Sequence, residues 1–323
     1  MVRRGGGVVA ALALAAAARV CGPAFSAPAA ASSFAPARAL RRRASAVGRG
    51  AGAVAPFPLE KFGLIRLRRG KLEEAVGMAR MFPAYVLSFS SAALILPMMA
   101  LSYPLVMLRD PVKRVVMDKW NTLWAKITAL PFFGVRVVNP ENLPAVNDGK
   151  AYVYISNHQS FMDILSMYFL GRSFKWVSKA SIKKIPIIGW AMGLTGHVFL
   201  QRDDRRSQMK TIRECIDKLK AGASMCFFPE GTRSKTGQLG EFKRGAFSIA
   251  RKAKVGMVPV TIMGTAELMP PGREFRVFHT PGVNLIVHPI ITAEEVQALP
   301  DDELVSKAKA LINSGLPPAL QNQ

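Results

Sequence analysis

His158 and Asp163 sit five positions apart in ISNHQSFMDIL (155–165), between the alternating, β-rich AYVYIS and the helically spaced SFMDILSMYFL. A histidine beside a carboxylate makes a general base: the imidazole takes a proton near neutral pH, and the carboxylate fixes its tautomer and steadies the imidazolium. Five residues along one straight helix turn such a pair about 140° apart. The spacing therefore works only if His158 precedes the helix and Asp163 lies in its first turn. A lone histidine beside a helix start is more often structural than catalytic, so the pair alone decides nothing.

FFPEGTRSKTG (227–237) places Glu230 72 positions after His158, again where an apolar strand ends. Gly231 lets backbone approach a ligand, while Thr232, Arg233 and Ser234 offer donors suited to a phosphate. A solvated turn with a spare arginine would look the same in isolation. Two such blocks, in this order and each closing an apolar strand, weaken that alternative.

The elements that must hold these residues alternate from Phe132 onward. Candidate strands are FFGVRVVN, AYVYIS, FKWVS, HVFLQR, SMCFFP, VGMVPVTI and VNLIVHPI, and candidate helices lie near 160–170, 205–221, 244–254 and 301–313, the last with Asp301 as N-cap. Several strands are apolar on both faces, so the expected fold is α/β: a mostly parallel sheet flanked by helices. Residues 131–315 are assigned to this catalytic domain, 59–130 to a membrane-associated helical segment preceding it, and 316–323 to a tail.

Met81–Leu108 carries no charge over 28 residues, interrupted by Pro97 and Pro104. It predicts either a tilted, kinked single span or a hairpin bent near Pro97 that dips into one leaflet. The next stretch, VKRVVMDKWNTLWAKI, places Trp120 and Trp124 among lysines and predicts an interfacial helix. Residues 1–58 have the layout of a targeting leader: a basic start, a short apolar core at Val8–Ala18, small residues, then an acid-free Ala/Ser/Arg stretch. The tandem resembles the two-step leaders of plastid proteins routed through the secretory system, and removal in the mature protein is expected.

The formal charge is +23, of which the leader's arginines supply eight, leaving +15 from Glu60 onward. An anionic partner is implied: phosphate, an anionic bilayer or an acidic protein. Of the three cysteines, Cys21 lies in the leader, and Cys215 and Cys226 have no metal-site spacing. There is no metal-ligand cluster and no dinucleotide fingerprint, so no cofactor or metal is expected. His197 and His288 lie on apolar strands and read as structural, and His279 has no partner pattern.

NHQSFMD, GHVFLQRDD, FPEGTRS and VPVTI, in that order, resemble the four blocks of the glycerolipid acyltransferases, in the branch that acylates lysophosphatidic acid. SKASIKKIPIIGWAM and GEFKRGAFSIARKA resemble its plastid members, and the similarity runs from about Leu96 to Pro289. GTAELMPPGRE, after the fourth block, departs from the pattern and is expected to bear on chain selectivity more than on chemistry.

The resemblance implies transfer of a fatty acyl group from an acyl carrier protein or coenzyme A thioester to the sn-2 hydroxyl of 1-acylglycerol 3-phosphate, at a membrane surface in the plastid, with the inner envelope as the expected location. It implies His158 as base and Asp163 as its partner. Arg233, Gly231 and Thr232 would hold the phosphate with help from Arg202, and Lys179 and Lys243 are weaker candidates. Glu230 is expected to orient Arg233 or the glycerol hydroxyl. Direct attack on the thioester needs no acyl-enzyme, and GAFSIA does not meet the nucleophile-elbow pattern.

The rival enzyme is a glycerol-3-phosphate acyltransferase, which shares the histidine–aspartate logic. The rivals of other classes are a basic, membrane-tethered nucleic-acid binder and a lipid-binding scaffold. No helix-turn-helix or RNA-binding signature supports nucleic acid as a partner.

Overall fold

The structure is a computed structural model that describes residues 71–321, apart from Asn147, Arg202, Asp203, Phe275, His279 and Pro281. Residues 1–58, the expected leader, lie outside the described residues, as do Arg202 and His279.

Helix α1 (Lys71–Arg109) is one continuous helix with Pro83, Pro97 and Pro104 inside it. The hairpin alternative is therefore not what forms. At 1.5 Å per residue the helix is about 58 Å long, and one of its stripes touches the protein along most of that length. Gly77, Met81, Ala84, Ser91, Ile95, Met99 and Val106 are buried. Near one end Gly77 O accepts from Val277 N (3.0 Å) and Arg80 donates to Phe132 O (3.2 Å). Toward the other, Met99 and Val106 pack on Met117. The opposite stripe stays apolar and exposed: Met78, Phe82, Val86, Leu94, Met98, Leu101, Leu105 and Leu108, spaced three, four or eight apart.

Helix α2 (Val115–Ala129) packs against α1. Its tryptophans do not face outward as expected of an interfacial helix. Both are partly buried, and Trp124 Nε1 donates to Ser88 O of α1 at 3.0 Å. Val116, Leu123 and Leu130 are the exposed apolar residues there.

The strands are β1 (Val135–Val138), β2 (Tyr152–Ser156), β3 (Lys175–Lys179), β4 (Val198–Leu200), β5 (Met225–Phe227), β6 (Gly256–Met263) and β7 (Val283–Val287). They form one sheet in the order β1-β7-β6-β2-β5-β3-β4, parallel throughout except where β6 meets β7. Between and after them run α3 (Met162–Met167), α4 (Ile188–Thr195), α5 (Arg205–Lys220), α6 (Gly245–Ala253), α7 (Thr265–Leu268), α8 (Ala293–Ala298) and α9 (Asp301–Ser314). Asp301 is the first residue of α9, and Pro300 occupies the N-cap.

Both sheet faces are covered, which explains the unbroken apolar strands. In β2, Val153 and Ile155 join the cluster formed with α5, α6 and α9, whereas Tyr154 points into the cluster on the α1–α3 side. A buried ion pair pins α2 to β3: Lys175 Nζ lies 2.7 Å from Asp118 Oδ2, with both side chains under 5% exposed. Ser173 Oγ also donates to that oxygen, and Asp118 Oδ1 has no partner. Burial raises the Asp118 carboxyl to about 6 despite the lysine.

Candidate active site

β2 and β5 are adjacent and parallel, so their C-terminal ends deliver the two motif loops side by side. That edge is where open α/β sheets place their sites. Asn157 closes β2 by pairing its side chain with β6: its Nδ2 donates to Ile262 O (2.9 Å) and its Oδ1 accepts from Ile262 N (2.7 Å). The chain then turns, presents His158, and enters α3.

His158 precedes α3 and Asp163 lies in its first turn, the arrangement the spacing required. His158 Nδ1 is 2.7 Å from Asp163 Oδ2, and the same oxygen accepts from Gln159 N (2.7 Å) and Ser160 N (2.9 Å). Asp163 is fully buried and the His158 side chain is 16% exposed. A carboxylate at Nδ1 makes that nitrogen the donor and leaves Nε2 as the basic atom. The imidazole lies flat on Phe228, centroids 3.9 Å apart and planes 8° from parallel, and Phe228 stacks in turn on Trp176.

The second loop is tied to the first through backbone. Ser234 N donates to His158 O at 2.8 Å. Glu230 Oε1 accepts from His158 N (2.8 Å) and Oε2 from Gly240 N (2.9 Å). Burial pushes the Glu230 carboxyl up, and these two N–H bonds pull it back only in part. Glu230 was expected to orient Arg233 or the glycerol hydroxyl. Both its oxygens instead hold main chain, because a nearly buried carboxylate beside two loop N–H groups satisfies them first.

Arg233 pairs with Glu274, Nη1 to Oε1 at 2.7 Å. Gly231 has φ +71, and a Cβ there would stand 2.8 Å from Lys243 Nζ, so Lys243 crosses directly over the glycine. Thr232 is exposed at the loop tip. Lys179 ends β3, on the same sheet edge but two strands from β2. The structure thus gathers His158, Asp163, Glu230, Gly231, Arg233 and Lys243, with Lys179 farther off.

Sequence reasoning gave no role to Asn157, Gln159, Ser160, Phe228 or Glu274. Gln159 Nε2 donates to Gly237 O (2.9 Å) and Ser160 Oγ to Met269 O (2.7 Å). The signal available was NHQS itself, a polar run directly after an apolar strand, which must be satisfied internally if buried. His197 and His288 are buried, as structural residues are. His197 Nδ1 accepts from Trp176 N (3.1 Å), and His288 Nε2 lies 2.8 Å from Thr261 Oγ1.

A family model described as Acyltransferase matches residues 134–263, which hold both loops. The chain is 45% identical over 235 residues to a 1-acyl-sn-glycerol-3-phosphate acyltransferase of Chlamydomonas reinhardtii, covering 71% of this chain and 67% of that one. It is 46% identical over 209 residues to the chloroplastic 1-acyl-sn-glycerol-3-phosphate acyltransferase LPAT1 of Arabidopsis thaliana, covering 65% of this chain and 58% of the relative. The crystal structure of the 1-acyl-sn-glycerophosphate (LPA) acyltransferase PlsC from Thermotoga maritima superposes with a TM-score of 0.62 at 27% identity, over 75% of this chain and 95% of that one.

Proposed function

The chain belongs to the acyltransferase family that includes the 1-acyl-sn-glycerol-3-phosphate acyltransferases, and on that premise we propose that it makes phosphatidic acid by acylating the sn-2 hydroxyl of 1-acylglycerol 3-phosphate. The observation that carries the proposal is the pairing of His158 with Asp163 at 2.7 Å, on a turn hydrogen-bonded directly to the Arg233 loop.

His158 Nε2 takes the proton of the acceptor hydroxyl as its oxygen attacks the thioester carbonyl. Asp163 holds the ring and stabilises the imidazolium. Collapse of the tetrahedral intermediate breaks the C–S bond, and the imidazolium returns the proton to the departing sulfur. Arg233 and Lys243 meet the acceptor's phosphate, where a planar guanidinium can bind two oxygens at once. Of the two thioester donors, we favour the acyl carrier protein, since an acidic carrier suits a chain with +15 beyond its leader. The exposed stripe of α1 rests in one leaflet. Residues 1–58 carry the chain to the plastid, where the inner envelope is the favoured membrane.

The test is an assay of the leaderless chain with lysophosphatidic acid and with glycerol 3-phosphate, each with acyl carrier protein and coenzyme A thioesters. Lysophosphatidic acid should be the preferred acceptor by more than tenfold in kcat/KM. Preference for glycerol 3-phosphate would assign the chain to the rival reaction.

A further inference from the structure

Segment 269–278 overlaps GTAELMPPGRE (264–274), and the structure ties it at three places. At its start, Met269 O accepts from Ser160 Oγ within the His158 turn. At its end, Val277 N donates to Gly77 O, and the Phe278 ring lies 3.1 Å from where a Cβ on Gly77 would stand. In the middle, Tyr85 Oη of α1 donates to Glu274 O at 3.2 Å, while Glu274 Oε1 meets Arg233 Nη1 at 2.7 Å. The strap therefore joins the apolar helix, the base-bearing turn and the arginine of the second loop.

The Glu274 carboxylate is itself held. Gly272 N donates to Oε1 at 3.1 Å, and the residue's own N–H also bonds the carboxylate. Burial alone would raise this carboxyl, but the two N–H groups and Arg233 outweigh it and keep it below the usual range. A carboxylate anchored this way is a fixed point rather than a loose counter-ion. The arginine side chain is 15% exposed and that of Glu274 23%, so the pair is largely shielded from water. A guanidinium has five N–H donors in a rigid plane, and a bond at one Nη sets the direction of the others.

We propose that Glu274 is a specificity-determining positioning residue, which holds Arg233 from the 269–278 strap and aims its remaining donors at the acceptor's phosphomonoester. The inference rests on Arg233 meeting the phosphate, as proposed above. It makes recognition of the head group depend on a strap fastened to the membrane-facing helix through Tyr85.

Steady-state kinetics of the full chain carrying Glu274→Gln, Glu274→Ala, Tyr85→Phe or Arg233→Lys test it, with lysophosphatidic acid and a monoacylglycerol of the same acyl chain as acceptors. Glu274→Gln should raise the KM for lysophosphatidic acid about 5–20-fold, the loss of one charge-assisted contact, with little change in kcat or in donor KM. Glu274→Ala should raise it further and Tyr85→Phe less, and the monoacylglycerol should respond weakly to all three. Glu274→Gln is isosteric and keeps the test open should Glu274→Ala fail to fold. A fall in KM would make Glu274 a competitor for the phosphate and overturn the inference, as would a parallel loss of kcat, donor KM and both acceptors. If Arg233→Lys raises the KM and Glu274→Gln does not, this inference alone fails. If Arg233→Lys leaves the KM unchanged, the phosphate reading fails first.

Discussion

Phe228 lies flat against the imidazole of His158, 3.9 Å between centroids. The contact comes from the strand end next to the histidine's own, so the plane of the base is set by one strand and its tautomer by the helix that follows the other. Phe228→Leu should keep the fold and lower kcat by roughly 10–100-fold, the penalty for a loosely aimed reacting group. The check is kcat alongside a thermal melt. An unchanged kcat would mean that Asp163 alone holds the ring.

His158→Ala should lower turnover by about 10²–10⁴-fold, the worth of a general base, while lysophosphatidic acid still binds. Asp163→Asn should also be severe, since an amide can support the ring but favours the other tautomer. Near-normal turnover in a folded His158→Ala chain would remove the histidine from the mechanism.

The Asp118–Lys175 pair predicts an asymmetric stability result. Lys175→Met leaves a buried carboxylate with the Ser173 hydroxyl but no counter-charge and should cost about 3–5 kcal/mol. Adding Asp118→Leu should recover more than half of that loss, because two apolar side chains need no solvation. Chemical denaturation in detergent measures both. A single variant costing under about 1 kcal/mol would show that water reaches the site.

His288 gives the pH dependence a sign. Burial lowers it from 6.5 to about 4, so between those values the unfolded chain binds a proton that the folded chain does not. Stability is therefore complete above about pH 6.5 and is lost as pH falls toward 4, by about 2 kcal/mol between pH 7 and pH 5. His197, held neutral by complete burial, adds to the same slope. Denaturation midpoints at the two pH values should show the drop, and His288→Gln should reduce it without abolishing it.

Much of this arrangement is legible in the chain. Strands covered on both faces announce themselves as short apolar runs, and each candidate strand found its place in the sheet. The His158–Asp163 geometry follows from a local turn, so spacing sufficed. Contacts between distant segments left no such mark. Arg233 and Glu274 are 41 positions apart, and MPPGRE reads as an ordinary turn. The partners of Glu230 left no mark either, because they are backbone N–H groups, which have no residue type. The tryptophans of α2 were misjudged because lysines beside them mimic an interfacial pattern, whereas α1 covers them. Helices as short as α4, α7 and α8 offer too few turns for periodicity to register.

The exposed stripe of α1 also determines how concentration must be counted. A protein resting in a leaflet along that stripe meets its acceptor as a two-dimensional solute. Its rate then follows the mole fraction of lysophosphatidic acid in the bilayer, not the amount per litre. Diluting a fixed quantity of acceptor with inert phospholipid would slow turnover even though nothing in the aqueous phase had changed.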